Sequence, residues 1–262
     1  MSEGTRHASP VTDARTAALV TGASRRVGRA VAVEFARAGL DLVLTYCDGA
    51  AECAETARVA GAEAARAGHA IEVAIEQVDF RVASATARFV DSLASRRIGV
   101  FVHGASIYRE TPMGAISARD VEEMHRVEVV APLLIAQSLR ASLSATALPA
   151  GGAVVLFSDI HALGRPRANF AAYIVAKGAV RALTEQLAVE LAPRVRVHCV
   201  APGVVAWPPN FPESQKEAIL ARTPLGRAGT EEECARLVRF LALEASYITG
   251  QTIAIDGGRS VR

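Results

Sequence analysis

The sequence predicts an α/β protein built on one doubly wound parallel sheet with helices on both faces, and three observations carry that expectation. Short apolar runs recur along the chain, most of them without polar alternation, as strands buried on both faces require. Longer helical runs stand between them, and such alternation implies right-handed crossovers between parallel strands. Directly after the first apolar run comes Thr21-Gly-Ala-Ser-Arg-Arg-Val-Gly28, a glycine loop between a buried strand and a helix.

In chain order, strands are expected at residues 17–20, 42–45, 71–77, 99–103, 153–157, 195–200 and 252–255. Helices are expected at 26–38, 50–65, 83–96, 118–142, 168–191 and 231–243. Residues 1–15 are polar, lack an apolar signal core and are expected to form a disordered arm, leaving 16–262 as one Rossmann-type domain. Between 207 and 226 the pattern breaks down around Pro208, Pro209, Pro212 and Pro224. An irregular stretch of that length inside a compact domain suggests a substrate lid, near 204–226.

Composition narrows the function. A chain of 262 residues with 51% hydrophobic side chains can bury a large core, and a net charge of +2 predicts no nucleic-acid partner. No apolar run is read as approaching the ~18–20 residues that span a bilayer. Cys47, Cys53, Cys199 and Cys234 form no CxxC pair and have no His-rich partner spacing, so they read as reduced thiols of a cytoplasmic protein without a metal site.

The glycine loop is suited to a pyrophosphate, which backbone N–H groups and a helix N-terminus can meet. Gly22 permits the tight turn and Gly28 lets the helix pack closely on the sheet. Arg25 and Arg26 add two cations where a ribose 2′-phosphate would lie. Far downstream, Tyr173 and Lys177 are four residues apart and share a helix face. A lysine ammonium beside a phenol favours the phenolate and pulls its pKa below the usual ~10, which suits acid–base work.

Together these residues make the chain resemble the short-chain dehydrogenase/reductase family, from residue 17 to the end. That family carries Thr-Gly-x3-Gly-x-Gly at the first turn and Tyr-x3-Lys on a later helix. Arg26 replaces the middle glycine. With Asp159-Ile-His161 and Gly257-Gly-Arg-Ser260, this is similar to the pteridine reductase branch. The resemblance implies NADPH as cofactor, held by Gly22, Ser24, Arg25, Arg26, Val27 and Gly28. It adds Tyr46, at the end of the second strand, and Asp79 and Phe80 near the adenine. Gly104, Ala105, Ser106, Lys177, Pro202 and Gly203 complete the cofactor set. Asp48, two residues after Tyr46, either repels the 2′-phosphate or begins the next turn.

The same resemblance gives Tyr173 the role of proton donor, while Lys177 holds the nicotinamide ribose. Asp159 stands where many relatives use a serine, although Ser158 offers that alternative. Tyr108 would stack on a flat substrate ring, with Arg26, Ser106 and Trp207 also lining the substrate site. The implied activity is hydride transfer to a pterin or dihydropteridine. A carbonyl reductase and a catalytically weakened NADP(H)-binding protein stand as alternatives. Two departures bear on that choice: His103-Gly-Ala replaces Asn-Asn-Ala, and Glu128 occupies the place of an asparagine that bridges a water to the lysine. Members of that family bury helices like those at 118–142 and 168–191 in a tetramer, so the resemblance implies a homotetramer.

Overall fold

Seven parallel strands lie in the order β3-β2-β1-β4-β5-β6-β7 in a computed structural model that describes residues 16–208 and 210–261. They are β1 (Ala17–Thr21), β2 (Asp41–Tyr46), β3 (Val73–Gln77), β4 (Ile98–His103), β5 (Gly152–Phe157), β6 (Val195–Pro202) and β7 (Gln251–Ile255). The expected arm at 1–15, and Pro209 of the expected lid, lie outside the described residues. The predicted Rossmann-type sheet is what the chain forms. Strand order reverses between β1 and β4, the switch point at which doubly wound sheets open a ligand crevice.

The absence of polar alternation in the strands has a direct cause. Ala18 and Val20 of β1 face α1 (Arg26–Arg37), α2 (Ala50–Arg66) and α8 (Glu231–Leu243), while Leu19 faces α3 (Ala83–Ser92), α5 (Ala131–Ser144) and α6 (Ala171–Glu190). Phe35, Leu44 and Val238 fill one layer, and Phe101, Leu139 and Leu156 fill the other, all without exposed surface. Each such side chain contributes roughly 1.5–3 kcal/mol by leaving water.

Three expectations change. The third strand begins at Val73 and not at 71, because β2 starts at Asp41, whose carboxylate accepts the backbone N–H of Glu72 at 2.8 Å. The helix expected at 118–142 is α4 (Ala118–His125) running through a wider π-turn at Arg126–Val130 into α5. As one helix, Ala118–Ser144 is long and apolar enough to cross a membrane, contrary to the sequence reading. Its Ile135, Ala136, Leu139 and Leu143 are instead fully buried in the protein core. The third change concerns the stretch expected to be irregular, which contains a helix, α7 (Glu213–Leu220).

Candidate active site

One cleft of about 950 Å³ opens above the C-terminal ends of the strands, and every residue proposed for the site from the sequence lines it. Its floor at β1 is backbone. A Cβ on Gly22 would stand 2.7 Å from the Gly104 carbonyl oxygen, and one on Gly28 would stand 2.2 Å from the Gly22 carbonyl oxygen. Neither position admits any side chain, so the turn and the start of α1 press together and leave main chain facing the cleft. Arg26 sits at φ +52°, a left-handed conformation that L residues rarely adopt. Its side chain is exposed at the cleft. Buried Ser24 donates to the Asp48 carbonyl oxygen at 3.4 Å and ties the loop to the end of β2.

Around Tyr46 the polar groups are already paired. Asp79 accepts from Arg81 Nε and Nη2, both at 2.8 Å, and the guanidinium holds this carboxyl below its usual range. Arg81 also reaches Cys47 Sγ at 3.6 Å and senses the charge of Asp48. It is therefore a third cation at this end, two residues beyond Asp79, that the sequence reading did not pick out. Phe80 lines the cleft from the core, packed edge-on to Phe89 and His103.

At the far end, four segments meet. Tyr173 and Lys177 share one face of α6, with 6% and 3% exposure. The Tyr173 hydroxyl donates to Asp159 Oδ2 at 3.1 Å. The other oxygen of Asp159 accepts the His161 backbone N–H at 2.8 Å and caps a 3₁₀ turn at Ile160–Leu163. Asp159 thus faces the phenol with one oxygen and caps the turn with the other. Ser158 does not compete with it: buried at 3% exposure, its hydroxyl donates to the Lys177 carbonyl oxygen at 2.8 Å. His161 is a loop residue, its Nδ1 bonded to the Arg165 carbonyl oxygen at 2.7 Å.

Glu128 is buried and paired with Lys177. Lys177 Nζ donates to Glu128 Oε2 at 2.7 Å and to the Phe157 carbonyl oxygen at 2.9 Å. Glu128 Oε1 accepts from Ser106 Oγ at 2.5 Å and from the Ile107 backbone N–H at 3.2 Å. The carboxylate is 1% exposed and sits in the π-turn. An ammonium has three donors, so these two bonds leave one for a ligand in the cleft. The expected lowering of the tyrosine pKa is overturned in this arrangement. Burial, then the charges of Asp159 and Glu128, push the Tyr173 phenol well above its ordinary value. The lysine beside it has its charge met by Glu128.

His103 proves structural. Its Nδ1 contacts Thr21 Oγ1 at 3.0 Å and its Nε2 contacts the Val127 carbonyl oxygen at 2.8 Å. A π-turn disturbs the regular i→i−4 ladder, and the ring bonds one of its carbonyls. Burial lowers this imidazole to about 3, so it is neutral.

Around the entrance, the Tyr108 ring meets Tyr173 edge-on at 5.1 Å, and its hydroxyl accepts from Arg167. Trp207 lines the cleft and stacks on Phe211 at 5.2 Å, so it belongs to the cleft wall and also packs against the segment that leads into α7. Arg167, Arg222 and Arg259 also line the cleft and were not assigned to the site from the sequence, although Arg259 lies in the Gly257-Gly-Arg-Ser260 motif. No spacing pattern marks them, since they come from three separate segments.

The fold and site define a nicotinamide-dinucleotide oxidoreductase, and comparison with known proteins agrees. Residues 22–260 match the family model described as "Enoyl-(Acyl carrier protein) reductase". The chain is 32% identical over 247 residues to a 3-oxoacyl-[acyl-carrier-protein] reductase of Pseudomonas aeruginosa, covering 92% of this chain and 96% of that one. It is 34% identical over 248 residues to the enzyme of the same description from Synechocystis, covering 92% and 95%. Among solved structures it resembles acetoin dehydrogenase from Enterobacter cloacae, with TM-score 0.80, 28% identity and coverage of 95% and 97%. It also resembles a metagenomic blue fluorescent protein in complex with NADPH, with TM-score 0.79, 27% identity and coverage of 93% and 97%. The chain belongs to the short-chain dehydrogenase/reductase family.

Proposed function

We propose that the chain is an NADPH-dependent carbonyl reductase, with Tyr173 as the proton donor. The observation that carries this reading is the buried Tyr173–Lys177 pair at one end of a cleft whose other end is a glycine loop. The 3-oxoacyl reductases among the relatives support a ketone as the reducible group. The cleft suits a dinucleotide: bare main chain at Gly22 and Gly28 takes the pyrophosphate, and Arg25 and Arg26 are placed for a 2′-phosphate. Bound NADPH supplies the hydride.

The chain supplies the rest. The free N–H of Lys177 holds the ribose hydroxyls. A substrate carbonyl oxygen takes the place of Asp159 Oδ2 as acceptor for the Tyr173 hydroxyl and receives its proton as the carbonyl carbon is reduced. The phenol, raised above its ordinary value by burial and the charges of Asp159 and Glu128, carries the proton that a ketone reduction needs. Trp207 and the lid close over the substrate.

A second reading, reduction of a pterin, is favoured by one observation. The group facing Tyr173 is a carboxylate and not a serine hydroxyl, since the Ser158 hydroxyl is spent on the Lys177 carbonyl oxygen. A carboxylate accepts from ring N–H groups, whereas it offers a ketone oxygen no donor. Tyr108 would then stack on the flat ring. Loss of NADPH absorbance with acetoacetyl thioesters and simple ketones, set against dihydrobiopterin and dihydrofolate, separates the readings. Turnover of the ketones alone supports the first; turnover of the pterins alone replaces it with the second.

We further propose a cytoplasmic homotetramer. Val175 and Val189 on α6 are 70% and 74% exposed, and Leu133 and Leu134 on α5 are half-exposed, which leaves apolar faces on the two long helices for partner copies.

A further inference from the structure

Among the described residues, the substrate end of the cleft carries cations that form no ion pair. Arg167 follows β5, Arg222 follows α7 and Arg259 follows β7, and all three line the cleft beside Tyr108 and Trp207. Arg165 stands behind them, its Nε donating to the Ser260 carbonyl oxygen at 3.3 Å. Arg259 is held below its ordinary value by burial first, then by the positive charges of Arg167, Arg165 and Arg222; Asp159 is the one carboxylate that opposes them there. Among the described residues, none of these guanidiniums forms an ion pair, whereas Arg37, Arg66, Arg81, Arg109, Arg227 and Arg239 all do.

General basicity does not explain the cluster, because the chain has 29 Lys and Arg against 27 Asp and Glu. Like charges brought together repel one another, and an anion that joins them relieves that repulsion. Arg167 is also fixed in place: its guanidinium lies 4.2 Å over the Phe170 ring and donates to the Tyr108 hydroxyl, and the Tyr108 ring abuts Tyr173. Arg167 therefore borders the reacting phenol. The three cations stand over β5–β7, apart from Arg25 and Arg26, which follow β1.

We infer that Arg167, Arg222 and Arg259 form an anion subsite, and that the substrate carries a carboxylate or phosphate group beyond its reducible carbon. The inference rests on the reductase reading of the cleft and adds the substrate class. Planar guanidiniums recognise both anions by paired N–H donors.

The test has two arms. In the binding arm, the enzyme is saturated with NADP+ so that its cofactor phosphates fill the loop. Fluorescence of Trp207, the single tryptophan, is then followed during titration with glutarate and, separately, with inorganic pyrophosphate. A saturable response that weakens roughly tenfold or more in Arg259→Gln and in Arg222→Gln is expected, since a charge-assisted hydrogen bond is lost. The stronger of the two probes identifies carboxylate or phosphate as the source. No saturable response to either, or a response equal in wild type and both variants, overturns the subsite. Arg222 is exposed, so its variant reports even if Arg259→Gln fails to fold.

In the kinetic arm, KM is compared for levulinate and methyl levulinate, which differ by one charge. Wild type should prefer the acid, and each variant should reduce that preference roughly tenfold. An unchanged preference overturns the subsite. Should neither compound turn over, the ketone reading fails for this pair and the binding arm alone decides the subsite.

Discussion

Over β1 and β2 the cleft presents main chain and exposed cations, whereas over β4 and β5 it presents side chains from four segments bonded to one another. At the first end, Gly22 and Gly28 exclude side chains by contact distances below 3 Å, so the close backbone packing there follows from local sequence. At the second end, Glu128 reaches Lys177 across 49 residues, and Tyr173 reaches Asp159 across 14. The first end is a shape that a short motif specifies. The second is a charge arrangement that exists only once the sheet has formed. Substitutions should therefore separate binding of the cofactor from chemistry on the substrate.

The sharpest separation is Tyr173→Phe. It removes the proton donor and leaves a ring of nearly the same shape in the packing against Tyr108 and Phe170. Turnover should fall by roughly 10²–10⁴-fold while NADPH affinity, read by fluorescence titration, stays within about twofold. Retained turnover would remove Tyr173 as the donor and undo the division between the two ends.

Glu128→Gln should have the next largest effect, and on two readouts. Removing one partner of a buried pair leaves Lys177 uncompensated, so urea denaturation should show a loss of roughly 3–5 kcal/mol. The phenol would also lose one of the two negative charges that raise it. In wild type, kcat/KM for reduction should hold through pH ~10, because the acid form of Tyr173 persists above the ordinary tyrosine range. In the variant the alkaline limb should move to lower pH. A profile that does not move would mean that Glu128 acts through packing alone. A gain in turnover would show that the carboxylate restrains the chemistry.

These cases also show what could be read without the fold. The sheet, its order of elements and the glycine loop are legible because each depends on residues near in sequence: apolar runs for the strands, and Gly22 and Gly28 for the turn. Tyr173 and Lys177 are legible for the same reason, being one helical turn apart. The direction of the phenol's pKa was not, because Lys177 alone would lower it and only the fold brings Asp159 and buried Glu128 to bear. The π-turn that carries Glu128 left no signal in a run that reads as ordinary helix. The arginines of the entrance were not assigned to the site, because no spacing relates positions 167, 222 and 259, and Arg259 was read only as part of the Gly257-Gly-Arg-Ser260 motif. The lid helix at Glu213–Leu220 was hidden among the prolines around it.

His103 provides a smaller test, of stability and not of chemistry. The buried ring is neutral down to about pH 3, while an unfolded histidine titrates near ~6.5. Between those values the unfolded chain binds the extra proton, so stability rises with pH across that window and is lost as pH falls through it. Each pH unit there should cost roughly tenfold in the folding equilibrium from this group. His103→Asn removes the titration and offers an amide for the contacts to Thr21 and Val127. Its acid unfolding midpoint, followed by circular dichroism, should lie below that of wild type. An unchanged midpoint would assign the acid limit to other groups, including buried His198, which is lowered to about 4.

The smallest expected effect lies back at the β1 end. Arg26 holds φ +52° although only glycine adopts that region freely, and a left-handed conformation costs other residues roughly 1–2 kcal/mol. Glycine would relieve that strain but lose the cation and some unfolded-chain rigidity. Arg26→Gly should therefore raise stability by no more than about 1 kcal/mol in urea denaturation. The same change should weaken NADPH more than NADH, because only NADPH carries the 2′-phosphate that a guanidinium there would meet. If both cofactors weaken equally, Arg26 serves the pyrophosphate or the substrate. The 2′-phosphate contact would then fall to Arg25 and to Arg81, the cation that stands beside Asp79 and Cys47.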